Sequence, residues 1–491
     1  MAEYDQSPRL SKPSGERLFV GRANPNAPRA SRDDFANPAR TWCTGAMSVH
    51  PSLAPSRLLA LRGPVLTWRD DPFQVGVDAA RVYEPDALVV MEHGRIKAFG
   101  PAGKLLGTLP EGTRVAHHPD HLITSGFIDA HVHYSQTAIV AAWGGGLLEW
   151  LDRHAFPAEQ RFADPAWAHA VARVFLAECL RHGITTAAVY GTVHAHSVDA
   201  LLEQAELLDM RMIAGKVLMD RNAPEALRDD AGGGIAETET LIERWHGRGR
   251  AGIAITPRFA ASCSPAQLAA AGALKHAHPR VWVQTHLSEN RDEVRWVKDL
   301  FPDRRDYLDV YEHHGLVDRR TILGHGIHLS DDERARIAAR GASIAHCPTS
   351  NLFLGSGLFD LARAHGGEHP VRVAMATDIG AGTTFSILQT LGEAYKVAQL
   401  AGHVLTPSHA WWLATAGTAE ALDLGDRVGR VAAGMEADLV VFDLRSTPLL
   451  DWRMRQTDSL DDALFLQMML GDDRAIRATY VAGRQVYARP S

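Results

Sequence analysis

The sequence predicts an α/β fold class, a (β/α)8 TIM-type barrel joined to a small β-sandwich domain formed from both chain ends. Three observations predict it. Eight strand-length apolar runs recur between residues 121 and 378, with longer amphipathic stretches between them. Blocks of shorter runs, punctuated by Gly, Pro and Asp, stand at both ends of the chain. No G-x-G-x-x-G follows a strand and no G-x-x-x-x-G-K-[ST] occurs, so a doubly wound sheet would lack its phosphate loop; the GSG at 355–357 lies in a loop after the seventh run.

Residues 1–56 are expected to form a disordered tail, because SPRLSKPSGER and RANPNAPRASRDDFANPAR are rich in Pro, Arg, Ser and Asn and lack a hydrophobic period. Met47 stands just before the first patterned segment, so residues 1–46 could stem from an alternative start. Residues 57–121, with LLALRGPVL, ALVVMEHGRIKAFG and TRVAHH, read as the first part of the sandwich. Residues 122–430 read as the barrel. Its runs are HLITSGFIDAH, ITTAAVYGTV, MRMIAGKVLM, AGIAITPRF, RVWVQTH, RTILGH, ASIAHC and VRVAMATD, alternating with helices such as PAWAHAVARVFLAECLRHG and SVDALLEQAELLD. Residues 431–491 return to short strands, as in EADLVVFDL and IRATYVAGRQVYAR.

Composition narrows the function. With 491 residues, 46% hydrophobic and 22% charged, the chain suits one large globular domain with appended sheet structure. A formal charge of -7 offers no basic footprint for nucleic acid and leaves a small neutral substrate as the better fit. No stretch of 18 apolar residues and no secretory signal stand in the sequence, and Cys43, Cys179, Cys263 and Cys347 lie far apart without a C-x-x-C. A cytoplasmic protein with reduced thiols, away from membranes, is the expectation.

The chemistry is written at the strand ends. His131 and His133 close the first run, and residues two apart on a strand share a face, so both imidazoles can meet one point. Among 25 histidines such a pair arises easily by chance; the weight comes from His286, His325 and Asp378 closing the fifth, sixth and eighth runs. A barrel brings these ends to one rim. Nitrogen and carboxylate donors suit zinc, whose catalytic sites keep a position for water. Glu289, three residues after His286, is the candidate proton shuttle; capping the helix that starts near Asn290 is the plainer alternative.

Other candidates compete. His194 and His196 repeat the H-x-H spacing after the second run, without an acidic partner nearby, and read as loop or substrate-facing residues. His313 and His314 sit where a helix ends, and SDDERARIAAR from Ser330 reads as a solvated helix face. LLEWL (147–151) could wall the pocket. Lys216 on the third run could bridge two metals if carbamylated, but the fourth run has no lysine, so one metal per chain is expected.

GFIDAHVHYSQ, LLEWLDRHAFPAEQRF, GKVLMDRN, ITPRFA, QTHLSENRDEV, GHGIHLSDDE, AHCPTSNLFLGSG and ATDIGAGT together resemble the amidohydrolase superfamily and, within it, the guanine deaminase family, over residues 57–491. H-x-H with a late Asp marks only the superfamily; EWL with FPAE, TPRF and HLSENRDEV point to the narrower family. The resemblance implies zinc on His131, His133, His286 and Asp378, with iron or manganese suited to the same donors. It implies a reaction in which guanine is hydrolysed to xanthine and ammonia, Glu289 moving the proton while His325 and Asp378 steady the reacting carbon. Gln136, Arg258 and Phe259 would contact the substrate, a purine base, with His286 and Glu289 also facing it, and the assembly would be a homodimer. Two departures are the long N-terminal tail and His196, a position where the family varies. A related aminohydrolase acting on cytosine, 8-oxoguanine or a triazine is the alternative enzyme, and a metal-binding scaffold without catalysis the alternative class. The zinc deaminases carrying H-x-E and P-C-x-x-C are not resembled, since no P-C-x-x-C occurs.

Overall fold

The computed structural model describes residues 58–490 apart from 231 and 367; the expected tail, and Cys43 with it, lies outside the described residues. The chain opens with β1 (Leu59–Trp68), β2 (Arg81–Glu92), β3 (Arg95–Pro101), β4 (Arg114–His117) and β5 (Leu122–Ser125). The barrel strands follow: β6 (Phe127–His133), β7 (Ile184–Tyr190), β8 (Arg211–Gly215), the two-residue β9 (Val217–Leu218), β10 (Gly252–Pro257), β11 (Trp282–Leu287), β12 (Thr321–His325), β13 (Ser343–His346) and β14 (Arg372–Met375). The chain closes with β15 (Leu439–Phe442), β16 (Ile476–Val481) and β17 (Arg484–Ala488).

Strands from both ends form one eight-stranded sheet in the order β17-β16-β15-β5-β1-β2-β3, with β4 alongside β1. Residues from both ends, among them Leu61, Val89, Ile123, Leu439, Val441 and Tyr480, share one apolar core. The sandwich expected from the sequence is thus built as a single continuous sheet. One detail differs from the sequence reading. The run HLITSGFIDAH is two strands, since Leu122–Ser125 pairs with β15 and β1 in the small sheet and only Phe127–His133 enters the barrel. The cut falls at Gly126, where a Cβ would sit 2.1 Å from the Thr185 hydroxyl, so the chain crosses between sheets at a point where any side chain would displace Thr185.

The second sheet runs β6-β7-β8-β10-β11-β12-β13-β14, with β9 beside β10, and every pairing is parallel. Ile128, Ala188, Ile213, Ala254, Ile322 and Ala345, from six strands, share one buried cluster, as inward-pointing residues of a closed barrel do. The seam between last and first strands is closed by backbone bonds just past β14. The Asp378 N–H donates to the His131 carbonyl at 2.9 Å, and the His133 N–H to the Ile379 carbonyl at 2.6 Å. Helices follow the strands. Pro165–Arg181 starts where the Asp164 side chain accepts the Ala166 N–H, with Pro165 in the first turn where no N–H is needed. Between the two sheets, Glu436 accepts from Arg211 at 3.0 Å and pairs with Arg250 at 2.6 Å. Among the described residues no helix is long and apolar enough to cross a membrane.

Candidate active site

Strand ends place the candidate donors around one point. His131 and His133 finish β6, and their Nε2 atoms lie 3.3 and 3.6 Å from Asp378 Oδ1. His286, on β11, brings its Nε2 to 3.2 Å from that of His133. His325 ends β12 with its Nε2 3.4 Å from Glu289 Oε2 and 3.8 Å from Asp378 Oδ2. Ligand atoms of His131, His133 and Asp378 lie within 4.8 Å of one another, as do those of His131, His286 and His325. His325 and Asp378 adopt left-handed backbone, with φ of 70° and 54°, and so does Ser288, with φ of 50°. Left-handed backbone is costly for residues with a Cβ and recurs where a site dictates the direction of a side chain.

Second contacts fix proton positions. His286 Nδ1 donates to the Arg258 carbonyl at 2.6 Å, and a carbonyl only accepts, so Nε2 keeps its lone pair. Burial drives His133 and His286 well below the ordinary histidine pKa, helped by the Arg258 charge and by neighbouring imidazoles. Neutral nitrogens facing each other at 3.2 Å, with His131 Nε2 buried 3.3 Å from the Asp378 carboxylate, form a donor set that calls for a cation. His325 behaves differently. Its Nδ1 donates to Asn351 Oδ1 at 2.9 Å, and although burial opposes the charged form, Glu289 and Asp378 raise its pKa. Burial also works against the Asp378 carboxylate, but His131, His325 and His286 hold its pKa down to about 2.

Glu289 is buried, accepts the Ser356 hydroxyl at 2.9 Å, and has its pKa pushed up to about 7, chiefly by burial. The capping role that sequence alone left open for it belongs to others. Asn290 accepts the Asp292 N–H, and Glu293 accepts the backbone N–H groups of Glu289 and Asn290, closing a capping box on helix Arg291–Leu300. The Glu289 side chain is therefore free for the site.

Gln136, Arg258 and Phe259 line the same cavity as His133, His286 and Glu289. Phe259 also meets Trp296 edge to face at 5.8 Å. Leu147, Trp150 and Leu151 wall the cavity, as LLEWL allowed. The other candidates are elsewhere. His194 and His196 stack in a separate cleft, where His196 Nε2 bonds the Phe162 carbonyl at 2.6 Å. Lys216 is a buried cation paired with Asp229 at 2.7 Å and Glu237 at 3.4 Å. His313 and His314 end helix Tyr307–His313. Three residues to which the sequence motifs assigned no role of their own serve the site: Asn351 and Ser356, described above, and Glu159. The fully buried Glu159 carboxylate accepts from Arg258 and Gln136. The available signal for Glu159 was an acid among Phe156, Ala158 and Phe162, since a carboxylate in apolar company needs a partner.

Residues 122–486 match the amidohydrolase family. The chain belongs to that family. Among amidohydrolase relatives, the guanine deaminase of Escherichia coli (strain K12) is 49% identical over 420 residues, which is 86% of this chain and 95% of that one. The solved structure of E. coli guanine deaminase superposes with a TM-score of 0.84 at 46% identity, covering 88% of this chain and all of that one. The guanine deaminase from C. acetobutylicum, solved with guanine bound in its active site, gives 0.78 at 27% identity over 88% of this chain and all of that one. The amidohydrolase site of this chain thus sits in a barrel shared with both of these guanine deaminases.

Proposed function

We infer that this chain is a guanine deaminase, hydrolysing guanine to xanthine and ammonia, with His131, His133, His286 and Asp378 holding a zinc ion and Glu289 moving protons. One observation carries the reading: Glu289 stands 3.4 Å from His325, beside four candidate metal donors, in a chain that is 49% identical to E. coli guanine deaminase over 95% of that enzyme. His131 Nε2 beside the Asp378 carboxylate and the neutral His133 and His286 fit a divalent ion, and nitrogen with carboxylate oxygen suits zinc, while iron or manganese would accept the same set. When bound, such an ion lowers the pKa of water there from about 15.7 toward about 7.

The protein residues supply the rest. Arg258 donates to O6 of guanine and orients C2 toward the candidate ligands, where the amino group of adenine would face a donor with a donor. Phe259 packs on the ring. Glu289 accepts a proton from the attacking water and delivers it to N3, so the C2–N3 double bond takes up the new oxygen without leaving charge on the ring. His325 and Asp378 hold that oxygen by charge and hydrogen bond. A proton passed to the exocyclic nitrogen then lets ammonia leave as the C2 carbonyl forms, giving xanthine. The reaction makes this an enzyme of guanine catabolism. A cytoplasmic location suits Cys179, Cys263 and Cys347, which are buried free thiols. A homodimer follows from the family resemblance, and sedimentation of the purified enzyme tests it.

The deciding experiment is ammonia release by metal-analysed protein offered guanine, adenine, cytosine and 8-oxoguanine. Turnover of guanine above the others is expected; a zinc-loaded enzyme that leaves guanine untouched and takes another ring overturns the assignment.

A further inference from the structure

Glu159, on helix Phe156–Gln160, reaches no candidate metal donor, yet its side chain is fully buried and engages the two polar residues of the substrate wall. Arg258 Nη1 donates to Oε1 and to Oε2, each at 2.7 Å. Gln136 Nε2 donates to Oε1 at 2.9 Å. Gln136 Oε1 in turn accepts the Gly380 N–H at 3.2 Å. The guanidinium carbon of Arg258 also stands 5.6 Å from the centre of the Phe156 ring, one helical turn before Glu159.

These bonds decide what the wall can say to a ligand. An amide side chain can turn either end to the cavity, but an acid on one side and an N–H on the other admit one orientation, with the amide nitrogen toward Glu159. Glu159 takes up Arg258 Nη1, while Nη2 and Nε donate to no protein acceptor among the described residues. What Arg258 has left is therefore donors, and Gln136 has its second amide N–H beside a carbonyl oxygen already engaged by Gly380. A ring carbonyl or ring nitrogen can answer such a wall, and an amino group cannot.

We propose that Glu159 is the positioning residue for substrate selection: by holding Arg258 and Gln136, it keeps their remaining N–H donors turned to the cavity, so that the site reads the carbonyl of an oxopurine. The proposal rests on the guanine deaminase reading and adds to it the residue that sets the selectivity. Glu159 does not touch the reacting atoms, so its loss should act on binding more than on chemistry.

The test compares the zinc-loaded enzyme with Glu159→Gln and Glu159→Asp, measuring kcat and KM for guanine, inhibition by hypoxanthine against unsubstituted purine, metal content and Tm. For Glu159→Gln, KM is expected to rise about 10- to 100-fold, the worth of a hydrogen bond to a charged group, while kcat stays within about threefold. Hypoxanthine should lose its advantage over purine, because that advantage resides in the carbonyl. Glu159→Asp keeps the charge and should recover part of the preference; if the Gln variant is not recovered folded, the Asp variant carries the same comparison. An unchanged KM and unchanged hypoxanthine preference, with Tm lowered or not, overturns the proposal, as does a fall in kcat at constant KM. Turnover of guanine by the parent tests the function separately. Should the parent act on a different ring, KM for that ring in the variants still judges Glu159.

Discussion

Glu289 shows what a single side chain owes to its surroundings. Burial pushes its carboxyl up, and His325 and the Ser356 hydroxyl pull the other way, leaving a carboxyl poised at about 7. That is the range in which a group can both accept and return a proton. Glu289→Gln is expected to keep its metal, since it removes none of the proposed ligands, and to lose about 10² to 10⁴-fold in kcat. Metal analysis beside ammonia-release kinetics checks this; full activity in a loaded variant would remove Glu289 from the chemistry. The residue was legible in the sequence because it follows a strand-end histidine by three positions. Ser356 and Asn351 were not. They act from a helix and loop after β13, and no spacing in the sequence tells which loop folds over Glu289 or behind His325.

At the scale of elements, strands aim the site and their close contacts keep it aimed. On β12, a Cβ added to Gly324 would stand 2.7 Å from His131 Cε1, and the buried His131 ring has no room to retreat. Gly324→Ala should therefore displace a proposed ligand and lower metal content at least tenfold at limiting zinc, measured against the parent enzyme; wild-type metal affinity would count against this placement of His131. A second element reports on pH. In helix Leu361–Gly366, His365 stacks on Phe73 with ring centres 4.0 Å apart, and burial lowers its pKa to about 4. The folded chain then holds this proton only below about 4, whereas the unfolded chain takes it up below the ordinary value of about 6.5. This contribution to stability is complete above about 6.5 and shrinks as pH falls toward 4. In urea titrations at pH 7 and pH 5, His365→Phe should lose less stability on acidification than the parent, and equal losses would refute the assignment. The eight barrel strands were legible from their apolar runs. The division of the first run between two sheets was not, because Leu122–Ser125 and Phe127–His133 are both apolar, and only the steric demand at Gly126 separates them.

Across the whole molecule, residues 131 and 378 meet where the barrel closes, and the same two residues are proposed to grip the metal. A cation bound there stabilises the fold by mass action, about 2.7 kcal/mol at a free concentration one hundred times Kd. Chelation should lower Tm and speed amide exchange at His133 and Asp378 ahead of the small sheet, and re-adding zinc should reverse both; exchange that accelerates uniformly would show no link between site and seam. The seam also sets a timetable for synthesis. A nascent polypeptide that has emerged only as far as β13 carries three of the four proposed donors on an open ribbon. The eighth strand completes the ring and carries the chain to the fourth donor, so a chain that stops before Asp378 is expected to be inactive.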